Sequence, residues 1–279
     1  MGYGDLERYY SIIGWDEDLD RGSGLKRFQE AYESFSILFE HEWFRDLLSR
    51  RRRFRIVDVC GGSGIGGIAM AKLLLDRGFE YDLIVNDLRF SALEKARIYS
   101  RAYLGREADV IRDDALNLYK HVREADIALI YGFSTPHFDV YQMIHLIGGL
   151  SRVLGLEGVL VIEDYDRIWS LYQQRDFRDV SLESSKRGGY VLSGHIAYDP
   201  FRGVFKRIFI DLSTMDRVAL EFRLWDLAGL LSISWFFFSE IDFIETGSWY
   251  RGFILARRSR GIDPDQYLVK PKISRSMRT

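Results

Sequence analysis

The sequence predicts an α/β fold: a mainly parallel sheet covered by helices on both faces, preceded by a helical cap and interrupted by an antiparallel β insertion. Three observations predict it. From Arg55 onward, short apolar β runs alternate with helical stretches, the pattern of a sheet buried on both faces. A glycine-rich turn, VDVCGGSGIGG from Val57 to Gly67, joins the first strand to the helix after it. After residue 170 the alternation gives way to β runs separated by turn residues.

Composition sets the outer limits. With 279 residues, 47% hydrophobic and 15% aromatic, the chain can build one large domain, or one with an appendage, and wholesale disorder is excluded. The formal charge of −2, from 39 basic and 41 acidic residues, argues against a protein that mainly coats nucleic acid or anionic membrane. A single cysteine, Cys60, excludes an internal disulfide and a CxxC zinc site, and five histidines show no close metal spacing. No apolar run approaches the roughly 20 residues of a membrane helix. The start, MGYGDLERYY, lacks an apolar signal core, so a cytoplasmic protein is expected. Asn86 and Asn117 are the only asparagines and glutamine occurs five times; so few thermolabile amides among many charges predict a thermophilic source.

Residues 5 to 50 read as helical, with Leu25, Phe28, Tyr32, Phe35, Phe39, Trp43 and Leu47 at steps of three and four, one apolar face that must dock. RIVDVC is the first strand, and IGGIAMAKLLLDRG is a helix stopped by Gly78. YDLIVND is the second strand. In SALEKARIYSRAYLG, Ser91 and Glu94 are spaced as a capping box and Gly105 ends the helix. ADVIRDD, ADIALIYGF and GVLVIEDY follow as strands, with Asp139 to Leu154 helical between the last two. YVLSGHIAYDPFRGVFKRIFIDLS reads as a hairpin turning at Asp199-Pro200 and Arg202-Gly203. WDLAGLL is a short helix, and FFFSEIDFIETG and RGFILARR are strands close enough to pair antiparallel. From Ser259 the chain carries Arg260, Lys270, Lys272, Arg275 and Arg278 without periodicity, and reads as a mobile tail.

The glycine turn has two readings. Gly62 to Gly67 satisfies GxGxxG and Asp87 lies 20 residues past Gly67, the spacing of a dinucleotide site. An NAD-dependent oxidoreductase is therefore one reading. The other starts from acids: Asp58 inside the first strand, and Asp113-Asp114-Ala115 at the end of the third. A ligand with an amino group, a ribose and an adenine, but no phosphate, suits such a crevice.

On these residues the chain resembles the class I S-adenosylmethionine-dependent methyltransferases. Their first motif, an acid followed by GxGxG, is matched by Asp58, Cys60, Gly62 and Gly64, with Cys60 in place of the first glycine. The second, an acid ending strand two, is matched by Asp87, and the third by Asp114-Ala115. The resemblance covers residues 54 to 168 and 221 to 257. It implies a three-layer Rossmann-like sheet of seven strands, the last antiparallel, with S-adenosylmethionine as cofactor. It implies a cap over residues 1–53, a catalytic domain over 54–258 with a substrate-side insertion at 170–220, and a basic tail over 259–279. Asp87 would accept from the ribose hydroxyls, and Asp114 or Asp113 would contact the adenine amino group beside Leu88 and Ala115. Gly62 and Gly64 would leave room for the methionine part, Asp58 would orient the loop or the amino group, and Tyr131 would complete the site.

Methyl transfer needs alignment and exclusion of water more than acid–base residues. His137, in YGFSTPHF, is the expected base or acceptor contact, because a near-neutral pKa suits proton removal. Asp164, Tyr165 and Tyr198 are the other expected acceptor contacts, with Phe133, Ser134, Asp166, His195 and Arg207 nearby. A small-molecule acceptor is expected; RNA, through Arg50 to Arg53, or a protein is the alternative. No motif speaks to oligomeric state.

Overall fold

The computed structural model describes residues 3–20, 22–174, 177–247, 250–267 and 271. Helices α1 (Tyr3–Ile12), α2 (Gly22–Leu38) and α3 (Glu42–Arg50) come first. The chain then alternates through β1 (Arg53–Val59), α4 (Ile65–Asp76), β2 (Glu80–Asn86), α5 (Phe90–Leu104), β3 (Asp109–Ile111) and α6 (Leu118–His121). Next come β4 (Ile127–Ile130), α7 (Val140–Leu154), β5 (Val159–Asp164) and α8 (Arg167–Gln174). Strands β6 (Val180–Ser184), β7 (Tyr190–Asp199), β8 (Val204–Asp211) and β9 (Arg217–Phe222) form the insertion. Helix α9 (Leu227–Phe237) and strands β10 (Phe238–Glu245) and β11 (Gly252–Ser259) follow.

The central sheet has seven strands in the order β10-β11-β5-β4-β1-β2-β3. Only β11 runs against its neighbours, pairing antiparallel with both β5 and β10, as the short connection before it requires. Successive residues of each buried strand face opposite sides. Ile56 packs into the layer that holds α2 to α5, and Val57 into the layer that holds α7 and α9. The three-layer α/β expectation is met. Strand order reverses between β1 and β4, and a crevice opens at the carboxyl ends of an α/β sheet at such a point.

The amino-terminal helices divide between two places. Phe28, Phe35, Trp43 and Leu47 of α2 and α3 are buried in the same core as α4 and β1. Helix α1 instead lies on the insertion, where Leu6 and Ile12 pack with Phe209, Val218 and Leu220. The insertion is a separate four-stranded antiparallel sheet, β6-β7-β8-β9. The outer strands β6 and β9 lie outside the hairpin read from sequence: β6 alternates Val180 and Leu182 but exposes both, while β9 alternates Val218, Leu220 and Phe222 in the cluster shared with α1.

Three local expectations are corrected. Residues 13–20 are not helical: they cross the carboxyl ends of the strands, and Gly24 sits so close to the Asp18 carbonyl that a Cβ there would lie 2.2 Å from its oxygen. Ser91 does not cap α5, whose first residue is Phe90 after an extended Arg89; the Asp87 carboxylate takes the Arg89 N–H at 2.8 Å. A capping box does form at Asp139 and Gln142 at the start of α7. The segment read as mobile packs in its first part, with Pro264 buried and the Tyr267 ring edge-on to Phe237 at 5.7 Å. Lys270, Lys272, Arg275 and Arg278 lie outside the described residues.

Because α2 belongs to the core, Phe35→Ala should lower unfolding free energy by about 3–5 kcal/mol in a urea titration. A loss below about 1 kcal/mol would mean that α2 merely lies on the surface.

Candidate active site

The site is built on the close approach of α4 to β1. Asp58, fully buried near the end of β1, accepts the Gly67 N–H with Oδ2 at 2.7 Å. A Cβ on Gly61 or Gly67 would lie 2.5 or 2.8 Å from the Asp58 side chain, so these positions are closed to any larger residue. Between them the chain turns at Cys60, Gly62 and Gly64, with φ of 55°, 58° and 85°. A cysteine in the left-handed region costs of order 1 kcal/mol relative to glycine.

Burial pushes the Asp58 carboxyl up to about 7. Its Oδ1 is buried without a hydrogen-bond partner in the described structure. A buried acceptor left in this state invites a donor from a ligand.

Asp87, at the end of β2, is enclosed by donors. Oδ2 accepts the Gly62 N–H at 2.8 Å, and Oδ1 accepts the Arg89 N–H and Nε at 2.8 and 3.1 Å. Asn86 donates from Nδ2 to the carbonyls of Ile111 and Asp113, which fixes the turn after β3. In that turn Asp114 accepts the Leu116 N–H and Asp113 meets His121 Nε2 at 2.7 Å.

Two cavities flank the glycine turn. The first is lined by Cys60, Asp87, Leu88, Asp113, Asp114 and Ala115, with His137, Leu6 and Tyr10 also in its lining. The second is lined by Asp58, Cys60, Gly62, Tyr131 and Ser134, with Trp15, Glu17 and Arg27 from the amino-terminal segment. All the expected cofactor residues except Gly64 therefore line one cavity or the other. A Cβ on Gly64 would face Ile68 and Ala96, so Gly64 serves the turn.

His137 lies in a single turn, Thr135 to His137, after β4. Trp225 clamps that turn by donating Nε1 to the carbonyls of Thr135 and Phe138, each at 3.2 Å. Its Nδ1 is buried without a hydrogen-bond partner. Burial, then Arg89 and Arg167, pull its pKa down to about 4, so the ring stays neutral near pH 7. It borders the cavity of Asp87 and Asp114, not that of Asp58 and Tyr131.

The remaining expected acceptor contacts line neither cavity. Asp164 is fully buried and held by Thr135, Arg167 and the Tyr165 N–H. The Tyr165 ring meets Phe133 edge-on at 5.4 Å. Tyr198 is half exposed on β7 against Phe205. Arg50 pairs with Asp46 and Glu157, Arg51 with Asp126, and Arg53 with Asp82. Glu17, Arg89 and Glu163 were missed. Glu163 accepts the Gly132 N–H at 3.0 Å and Arg251 at 2.8 Å; it adjoins Asp164, and strand alternation alone cannot say which of the two faces the turn.

No protein-family model and no curated protein sequence matches the chain. Solved structures do. The CcbJ methyltransferase of Streptomyces caelestis aligns over 92% of this chain and 98% of its own, with TM-score 0.61 and 13% identity. The chain has the class I methyltransferase fold. The sugar N-methyltransferase KedS8 of a Streptoalloteichus species shares it over 88% of this chain and 94% of its own, with TM-score 0.56 and 18% identity. So does an S-adenosylmethionine-dependent methyltransferase of Clostridium acetobutylicum, over 82% and 99%, with TM-score 0.55 and 12% identity. In this methyltransferase fold the reversed β11 and the glycine turn after β1 lie where the sequence placed them.

The raised Asp58 pKa carries a sign. The folded state holds this proton more tightly than the unfolded chain, so its stabilising effect is complete below pH 3.8 and is lost as pH rises to about 7. Asp58→Asn removes that dependence. Denaturant titrations should show wild type losing up to roughly 4 kcal/mol more than the variant across that window; equal slopes would show that folding leaves the Asp58 pKa at its unfolded value.

Proposed function

We propose that the protein transfers a methyl group from S-adenosylmethionine to a nitrogen, oxygen or carbon nucleophile of a small molecule. One observation carries the choice of cofactor. Four N–H groups of the glycine turn are already engaged: Gly61 with the Asn86 carbonyl, Gly62 with Asp87, Gly64 with the Gly61 carbonyl, and Gly67 with Asp58. Two of those partners are carboxylates, which repel phosphate. The same carboxylates suit a ligand that brings hydroxyls, an amino group and positive charge.

In this reading Asp87 takes the ribose hydroxyls, and Asp114, beside Leu88 and Ala115, takes the adenine edge. Asp58 Oδ1 receives a donor from the amino-acid end, next to Tyr131. When bound, the cofactor supplies a methyl group made electrophilic by its sulfonium. The protein aligns the acceptor and keeps water out. His137 holds the acceptor by hydrogen bonding and removes a proton only from an acidic nucleophile, since a base of pKa about 4 is weak.

A third cavity supports a small acceptor. It lies under the insertion, lined by Tyr9, Phe177, Phe205, Phe209 and Phe222, with Glu183 and Arg207 among them. Phe222, in its wall, meets the His137 ring at 5.5 Å, and His137 lines the first cavity. An aromatic recess suits a compact molecule rather than a phosphate backbone, and the sugar N-methyltransferase named above is described as acting on such a compound. The division into cap, catalytic domain and insertion belongs to this proposal, as does a cytoplasmic, thermophilic setting. No helix of the described residues is long and apolar enough to cross a membrane.

Titration calorimetry with S-adenosylmethionine, S-adenosylhomocysteine and NAD in parallel tests the cofactor. The first two should bind at micromolar Kd, and Asp87→Ala should weaken them by about 10-fold or more. Binding of NAD alone would replace this reading with a dinucleotide enzyme. His137→Ala should lower kcat by roughly 10- to 100-fold with cofactor Kd nearly unchanged; unchanged turnover would remove His137 from the mechanism.

A further inference from the structure

Glu17 and Arg89 form a buried, bidentate ion pair across the glycine turn. Arg89 Nη1 and Nη2 each donate to a Glu17 carboxylate oxygen at 2.8 Å. The guanidinium also lies 3.8 Å from the centre of the Tyr10 ring and donates to both Asp87 oxygens. A Cβ built on Gly62 would lie 2.7 Å from Glu17 Oε1 and 2.8 Å from Arg89 Nη2, so the pair rests directly on the turn. Arg89 lines the first cavity, Glu17 lines the second, and Cys60 lines both. The pair is the wall between them.

The backbone beneath Glu17 is fixed. Ser63 Oγ donates to the Glu17 carbonyl at 2.7 Å, Lys95 meets Asp18 at 2.6 Å, and Tyr103 donates to the Leu19 carbonyl at 2.7 Å. Leu19 is fully buried. What can move are the two side chains.

We propose that the Glu17–Arg89 pair is a latch that must part before a ligand can span both cavities. The inference rests on the reading above, in which one adenosyl amino acid occupies both. Arg89 holds the Asp87 oxygens that the ribose needs, so ligand and guanidinium compete for them. Glu17 holds the guanidinium in place. The latch confines the crevice to a minor open population and slows ligand entry.

The test uses the full chain, Glu17→Gln, and Glu17→Asp, which keeps the charge but shortens the reach. Cys60, the single cysteine, reports opening without any ligand. In both variants a thiol reagent should label it at least about 5-fold faster, at a rate flat in low urea, which marks local opening rather than unfolding. Stopped-flow tryptophan fluorescence should show S-adenosylhomocysteine entering at least about 5-fold faster in both variants. Faster labelling with no calorimetric binding of S-adenosylhomocysteine would keep the latch and overturn the ligand. Binding with unchanged entry and labelling rates would overturn the latch and keep the ligand. Slower entry in both variants would overturn the latch and make Glu17 a ligand contact.

Discussion

The seating of α4 on β1, with the Asp58 carboxylate between them, is the constraint from which the crevice follows. Gly61 and Gly67 lack side chains because Asp58 fills the space their Cβ atoms would need. The Gly67 N–H that a helix start would offer to solvent or a ligand is consumed by this buried acid. The Gly62 N–H is likewise taken by Asp87. The turn therefore has the shape of an anion cradle and the opposite polarity. A loop that looks phosphate-binding in one dimension carries two carboxylates on its N–H groups in three.

That polarity has an electrostatic consequence. Asp87, Asp113 and Asp114 line one cavity and Asp58 the other, on the two sides of the same turn, with little solvent to screen them. Arg89 is the internal countercharge, and its carboxylate partners hold its pKa well above the usual guanidinium value. Glu17 then balances Arg89 from the amino-terminal segment. Removing one member of such a buried set leaves another unpaired, so the cluster is held as a unit.

Much of this was legible in the sequence, and the limits have physical causes. The succession of strands and helices, the reversed final strand and the acids at the strand ends follow from local apolar runs, short connections and glycine positions, which depend on near neighbours. Asp58, Asp87 and Asp114 are legible because each lies near or just past the carboxyl end of a strand, at the same end of the sheet. Glu17 was not, since it reaches the site through a non-helical crossing fixed by Gly14 and Gly24, and the apolar spacing on either side of that crossing reads as continuous helix. Arg89 stands two residues after Asp87, yet its burial depends on Glu17, 72 residues away. Asp164 shows the converse: its position at the end of β5 suggested exposure to an acceptor, while Arg167, one turn later, had already closed it off.

The insertion shows why the acceptor is harder to read than the cofactor. Its inner face carries Phe205, Arg207 and Phe209 from β8 opposite Leu220 and Phe222 from β9. Helix α1 covers part of that face through Leu6 and Ile12. The space left between them is a recess whose walls come from three distant stretches of chain, with no shared motif. The sheet holds the glycine turn in a fixed place, while the recess takes its shape from how α1 and β9 happen to pack. His137 stands where the two meet, clamped by Trp225 from below and touched by Phe222 from above. A change in the packing of β9 therefore reaches the first cavity through that ring, whose buried Nδ1 has no hydrogen-bond partner.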